Sequence, residues 1–419
     1  MTKFKIRNFI WIILAVVSVG SLIISSFHLS NVILYIADAS NICLFIYSFK
    51  YLRKCTCIEG MNAFFVCVAG FSIFAIIGAF INGVPVHLFL WGGRNFYRYL
   101  LFFYSCVVYL RKEHVYWFFE KLPIIYWINL VLSLFQCFVL HLGNDYIGGI
   151  FGISQGCNGS TTIFLNIALA YFVSQYINKA IKFSKLSQYL VVYFVITVIA
   201  EIKGNFIFFV LIIAVELIAG RKSLRTIGIG IGSGIALVLG IFLLAKLFPE
   251  SVGTLLNPEQ ATNYMNATYF GRATFTRNAI FQVANNNFFE GDLIRRLLGF
   301  GLGACEVSAF FVSPFYASYG YMNYRQYSMA MMLLQNGYIG LALYLLMFVM
   351  IAIVAFRNCE RNKDVFENAV CLAVVAIAIF SILDNIYATL FVDMGYWLWF
   401  IFAIPFVLIK ERRLLKNEN

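Results

Sequence analysis

Apolar residues come in blocks of about 20 along nearly the whole chain, and each block is long enough to cross a hydrocarbon core of about 30 Å as a helix. That feature removes most alternatives. In lipid no water is available to peptide groups, so backbone hydrogen bonds must close within helices or a barrel. The blocks are continuous and not alternating stretches of about ten residues, which excludes the barrel. Composition agrees: 62% of the 419 residues are hydrophobic and 12% charged, about half the charged fraction of a soluble domain. The expected fold is an all-α polytopic membrane protein, a single integral membrane domain over 1–419.

The blocks cover roughly 9–27, 29–49, 62–82, 96–110, 122–142, 159–177, 187–202, 205–219, 226–248, 332–356, 367–385 and 389–409, about twelve spans in all. Lys3, Lys5 and Arg7 before the first block imitate a secretion signal. No small-residue cleavage site stands near Ser25-Ser26 and further blocks follow at once, so the first is read as a retained span.

Basic residues orient the spans, because short cytoplasmic loops collect Lys and Arg. With the N-terminus inside and sides alternating, 22 of the 31 basic residues fall on inner segments, among them Lys50, Arg53, Lys54, Lys179, Lys182 and Lys185. Both termini are then cytoplasmic. Nine of the 19 acidic residues share that side, so the inner balance is +13 and the outer balance −1, which together make the net +12. Topology and anionic inner-leaflet lipid account for the whole excess. Nothing is left to suggest nucleic acid.

One long polar segment remains, 249–325, expected as a large folded extracytoplasmic loop, or lid, between spans nine and ten. Its Phe, Tyr and Gly-rich turns lack a disordered bias. Pro258 can open a short helix, a second helix is expected near 270–283, and Asn285-Asn286-Asn287 is expected to break it. Gly299-Phe300-Gly301-Leu302-Gly303 has neither the spacing nor the strand–helix setting of a dinucleotide fingerprint. It reads as a flexible or close-approach turn. The apolar run 326–356 is too long for one straight span, and Asn336-Gly337 can break it. The ten cysteines are scattered and mostly in apolar runs, with no metal spacing. Cys157 and Cys305 both fall outside in this topology and could form one disulfide.

Basic residues on the outer side need a reason. Arg94 and Arg98, spaced i and i+4, share one helix face at the mouth of the fourth span; snorkelling to headgroups is the bland alternative. Lys203 sits in the short turn Glu201-Ile202-Lys203-Gly204, where a local pair with Glu201 competes with a substrate role. Arg272, Arg277, Arg295 and Arg296 could be solvated loop residues. Together they suit a diphosphate, which guanidinium groups bind bidentately.

Three features then combine: Gly271-Arg272 in the large loop, Leu297 to Gly303, and Gln335 to Leu341 with its Gly337-Tyr338-Ile339-Gly340-Leu341. In this order they resemble the bacterial O-antigen polymerase and O-antigen ligase superfamily. Phe151-Gly152 before the sixth span and Lys203 between two spans are similar as well. The resemblance implies a metal-independent membrane glycosyltransferase without cofactor, acting at the outer face of the bacterial inner or plasma membrane. Its substrate would be an undecaprenyl-diphosphate-linked oligosaccharide, polymerised into O-antigen, capsular or exopolysaccharide chains. Arg272 and Lys203 would be the catalytic basic residues at the diphosphate, with Arg94, Arg98 and Arg277 adding to it. Membrane lipid, a flippase and a chain-length regulator are the implied partners. Ligase-type members place a histidine where this chain has Gln326.

Glu306, Glu290 and Asp292 are candidates for the base that takes the hydroxyl proton, against the plainer reading of solvated carboxylates. Two other functions stay open: a ligase-type glycan transferase, and a lipid-linked oligosaccharide transporter or flippase. A transporter would use intramembrane Asp38, Asp384 and Asp393 for coupling, and would usually show repeat symmetry. No repeat is visible.

Overall fold

The computed structural model describes residues 6–220, 224–249, 252, 256–265, 274–361, 364–390 and 394–417. Among the described residues the regular structure is helical, and the only bridge is an isolated one between Val307 and Val312. Long helices, labelled here, are α1 (Asn8–Phe27), α2 (Tyr35–Ser48), α3 (Met61–Ile81), α4 (Val86–Tyr109), α5 (Lys112–Phe138), α6 (Asn158–Ile177), α7 (Phe183–Ile199), α8 (Gly204–Ala219), α9 (Leu224–Leu247), α10 (Ser328–Arg361), α11 (Val365–Tyr387) and α12 (Gly395–Asn417). Eight helical segments among the described residues are long and apolar enough to cross a membrane, and α7 and α8 are shorter apolar helices. The helices α4 and α12 are not among those eight.

Hydropathy sorts the helices by position. The candidate span of α3 has a mean hydropathy of 2.6 and is 33% buried in protein, whereas that of α6 has 1.2 and is 94% buried. A lipid-facing helix must be apolar all round, while a central one can carry polar side chains that neighbours satisfy. In α6 the Asn166 amide donates to Asn205 Oδ1 of α8 at 3.0 Å. Tyr193 of α7 donates its hydroxyl to Asn166 Oδ1 at 2.9 Å, and Asn205 donates to Thr197 Oγ1 at 3.0 Å. This buried network ties α6, α7 and α8 into one unit. Around it, α11 packs on α6, α8 and α10, while α10 also packs on α3 and α12 on α4.

Three expectations about element bounds are corrected. Among the described residues the helix expected near 270–283 starts only at Ile280. The fourth span does not begin near 96; α4 begins at Val86, so Arg94 and Arg98 lie well inside a helix and not at its mouth. Polar Gly92-Gly93-Arg94 lowers local hydropathy, yet buried partners let the helix continue. The triple asparagine does not break its helix either. Ile280–Ala284 runs on through a π-helical turn, Asn285–Phe289. Pro258–Met265 is helical, as Pro258 suggests. The ten cysteines are all free, Cys157 and Cys305 included.

The 249–325 segment does not stand apart from the helices. Its glycine turn is wedged against them: Phe300 and Gly301 donate their amides to the carbonyls of Leu334 and Gln335 at 2.8 and 2.9 Å. Gly303 has φ +89°, and a Cβ there would lie 2.0 Å from the Leu88 carbonyl oxygen of α4. Close approach, not flexibility, is therefore the role of this turn. Opposite it, Gly337 has φ 61° and interrupts α10 where the sequence suggests a break. A Cβ on Gly337 would meet the Leu297 oxygen at 2.3 Å.

Candidate functional site

A cavity of about 1260 Å³ opens among α1, α2, α4, the 145–162 turn, the α7–α8 turn and the ends of α10 to α12. Four basic residues line it: Arg94 and Arg98 from α4, Lys203 from the α7–α8 turn, and Arg277 from the long loop. Three acidic residues, Asp38, Asp145 and Glu201, line it too. The described wall thus carries a small positive excess, placed locally and not as a broad field.

Arg94 and Arg98 are held by one carboxylate. Asp38 of α2 pairs with Arg94, and its other oxygen lies 3.5 Å from Arg98. Tyr396 of α12 donates its hydroxyl to Asp38 at 2.6 Å. Stacking fixes the planes: the Arg94 guanidinium is 4.5 Å from the Trp91 ring centre, and that of Arg98 is 4.6 Å from Tyr99, whose hydroxyl it also bonds at 2.6 Å. Such planar, doubly restrained cations suit a bidentate oxyanion better than lysines would. Neither arginine snorkels away from protein. Asp38 serves as their counter-charge, so a transport coupling role is not needed to explain it.

Lys203 makes the local pair that its sequence setting suggests, 3.2 Å from Glu201. Glu201 adopts φ 50°, and its other oxygen accepts from the Asn144 amide. This binds the α7–α8 turn to the turn Asn144–Tyr146. Arg277 lies 4.4 Å from the Tyr387 ring centre, at the end of α11. Phe275 donates its amide to the Met322 carbonyl at 2.9 Å, which anchors the strandless stretch before Arg277.

The other expected site residues divide. Arg272, with Phe270 and Gly271, lies outside the described residues, as does Asp393. Glu290 is exposed and away from the cavity lining. Asp292 caps the helix Leu293–Leu298 by accepting from the Arg295 amide, and pairs with the Arg295 side chain at 3.3 Å. Glu306 is only 4% exposed and stands behind the cavity wall. It accepts from the Asn95 amide at 3.1 Å and from the Gln335 amide at 3.2 Å. Asn95 Oδ1 in turn accepts from Arg94 at 2.9 Å, and Gln335 Oε1 accepts from the Gly303 amide at 2.6 Å. A continuous relay thus runs from the cavity arginine to the glycine turn. Burial pushes the Glu306 carboxyl above the usual range, opposed by Arg325, the two amides and Arg98.

Sequence reasoning missed the cavity wall built by the connection between α5 and α6. Asp145, Ser154, Gln155 and Asn158 line it, and the run Ser154-Gln155-Gly156 between two apolar blocks was the available signal. Gln326 and Tyr327, just before α10, line the cavity as well. Among the described residues no three His, Cys, Asp or Glu side chains are grouped as a metal site requires. No protein-family model matches this chain, and no curated protein matches it.

Proposed function

We propose that this protein is a polysaccharide polymerase that joins lipid-diphosphate-linked oligosaccharide repeats at the outer face of a bacterial cell membrane. The observation that carries the reading is the convergence of Arg94, Arg98, Lys203 and Arg277, from three separate parts of the chain, on one cavity. All four sit in segments that the topology assigns to the outer side. Cations are scarce there by rule, so their concentration around a void calls for an anionic ligand. The cavity is also large enough for more than a phosphate, and aromatic rings stand beside the arginines, as sugar binding favours.

In this reading a hydroxyl of one repeat attacks the anomeric carbon of another chain, and the lipid diphosphate leaves with the bond's electron pair. Fixed guanidinium groups stabilise the charge that grows on the leaving oxygen, and they need no reorganisation at that moment. Asp38 holds the arginines in place before substrate arrives and shares them with the diphosphate afterwards. The ligase alternative draws less support, because the described cavity wall presents Gln326 and no histidine.

The test is direct. Purified protein in lipid receives a lipid-linked repeat unit alone, and the products are sized. A ladder of longer lipid-linked chains is expected. Substrate crossing the bilayer with no ladder overturns the enzyme reading in favour of a flippase.

A further inference from the structure

Arginines can hold a leaving diphosphate, but they cannot take the acceptor's proton. Of the three carboxylates on the cavity wall, two are engaged. Asp38 receives Arg94, Arg98 and the Tyr396 hydroxyl. Glu201 receives Lys203 and the Asn144 amide. Taking up a proton at either would forfeit charge-assisted hydrogen bonds. Asp145 differs. It is exposed on the cavity wall, and no described basic side chain pairs with it. Its one side-chain contact is the Asn158 amide, which donates to Oδ1 at 3.2 Å. The second oxygen receives no hydrogen bond from the described residues.

The segment carrying Asp145 is rigidly placed. Gln136 of α5 accepts from the Gly149 amide at 2.7 Å and donates to its carbonyl at 2.8 Å. Asn129 accepts from Ile150 at 2.9 Å, and Ser25 of α1 accepts from Ile153 at 3.0 Å. Within the turn, Gly156 donates its amide to the Asp145 carbonyl at 3.0 Å. These contacts fix the backbone that carries Asp145, and the Asn158 amide orients its carboxylate through Oδ1 while the second oxygen stays open to an acceptor proton. Beside it, exposed Ser154 and Gln155 line the same cavity with uncharged hydrogen-bonding groups. Such groups match sugar hydroxyls, whereas the arginine wall matches the diphosphate.

We propose that the 145–158 wall is the acceptor-sugar subsite and that Asp145 is the general base. The inference rests on the glycosyl-transfer reading above and adds to it. As the acceptor oxygen bonds to the donor's anomeric carbon, its proton passes to the Asp145 carboxylate. The bond from that carbon to the diphosphate oxygen breaks, and the pair leaves with the diphosphate. Asp145 then returns the proton to water.

The test compares wild type with Asp145→Asn, an isosteric change at an exposed side chain, in full-length protein in lipid discs. Two quantities are read: binding of undecaprenyl diphosphate without sugar, and the rate of chain extension from a lipid-linked repeat. The expected result is unchanged lipid-diphosphate binding with extension reduced about 100-fold or more, and partial return of rate in Asp145→Glu. Extension close to the wild-type rate overturns the assignment. So does loss of binding together with extension, which marks the side chain as structural. Asn158→Ala gives a second reading should Asp145→Asn aggregate. It should slow extension and spare binding, and an unchanged rate overturns the proposal. If wild type itself binds the lipid diphosphate but extends nothing, the polymerase reading fails and the base assignment falls with it, an outcome distinct from the others.

Discussion

Arg98 shows how a cation can be kept inside a helix packed among apolar neighbours. Asp38 balances it, the Tyr99 hydroxyl bonds it, and the Tyr99 ring stacks on it. A lysine would keep the charge but lose the fork and the stacking plane. Arg98→Lys should therefore lower chain extension about tenfold or more while the folded yield stays high, as read from a product ladder and from gel filtration. Glu306 is the opposite case, a buried acceptor between two donors that cannot turn round. Asn95 is oriented by Arg94 and Gln335 by the Gly303 amide, so both present NH groups to it. Glu306→Gln would set one amide NH against another and should cost about 1–3 kcal/mol, seen as a lower Tm. The pH dependence has a definite sign. Burial raises this carboxyl in the folded protein, so the folded state binds the proton more tightly than the unfolded chain. Its contribution is most favourable below the ordinary Glu range of about pH 4.3, and it declines as pH rises through the elevated value. The Tm gap between wild type and Glu306→Gln should thus narrow as pH rises above the ordinary Glu range.

At the scale of elements, the packing of the long loop depends on glycine. A methyl on Gly303 has no room beneath Leu88, and its φ of +89° disfavours any side chain. Gly303→Ala should leave little monodisperse protein by fluorescence-detected gel filtration. Gly291 is the internal comparison: φ is +74° but nothing lies within 4 Å, so Gly291→Ala should cost only about 1–2 kcal/mol of backbone strain. The break at Gly337 and the turn at 299–303 were legible, since glycine in such runs signals unusual backbone. What each turn presses against was not. The start of α4 was misread because hydropathy scores Arg94 and Arg98 as if facing lipid, whereas they face Asp38, Tyr99 and Tyr396. Their i, i+4 spacing was readable, and so was their shared face. Lys203 with Glu201 was readable too, being local in sequence.

For the whole molecule, the charge pattern predicts both termini inside and the 249–325 segment outside. Single cysteines placed in a cysteine-free background should test this. One near Lys54 or at the C-terminus should resist a membrane-impermeant thiol reagent in intact cells, and one at Gly291 should react. The reverse pattern would remove the topological support for an outward-facing cavity. By itself the sequence determined the helical membrane architecture, because hydrocarbon admits only closed hydrogen bonding and the apolar blocks have the length to cross it. It also marked the basic residues that topology does not explain. Only the tertiary structure decided which of them meet. Residues 94, 98, 203 and 277 come together because α4 packs on α2 and α12, α8 packs on α6 and α11, and the long loop wedges against α4 and α10, contacts set by side-chain fit across great sequence separation and by buried amide networks. The same packing withdrew Glu306 behind the wall and brought forward Asp145, whose sequence neighbourhood looks like an ordinary short connection.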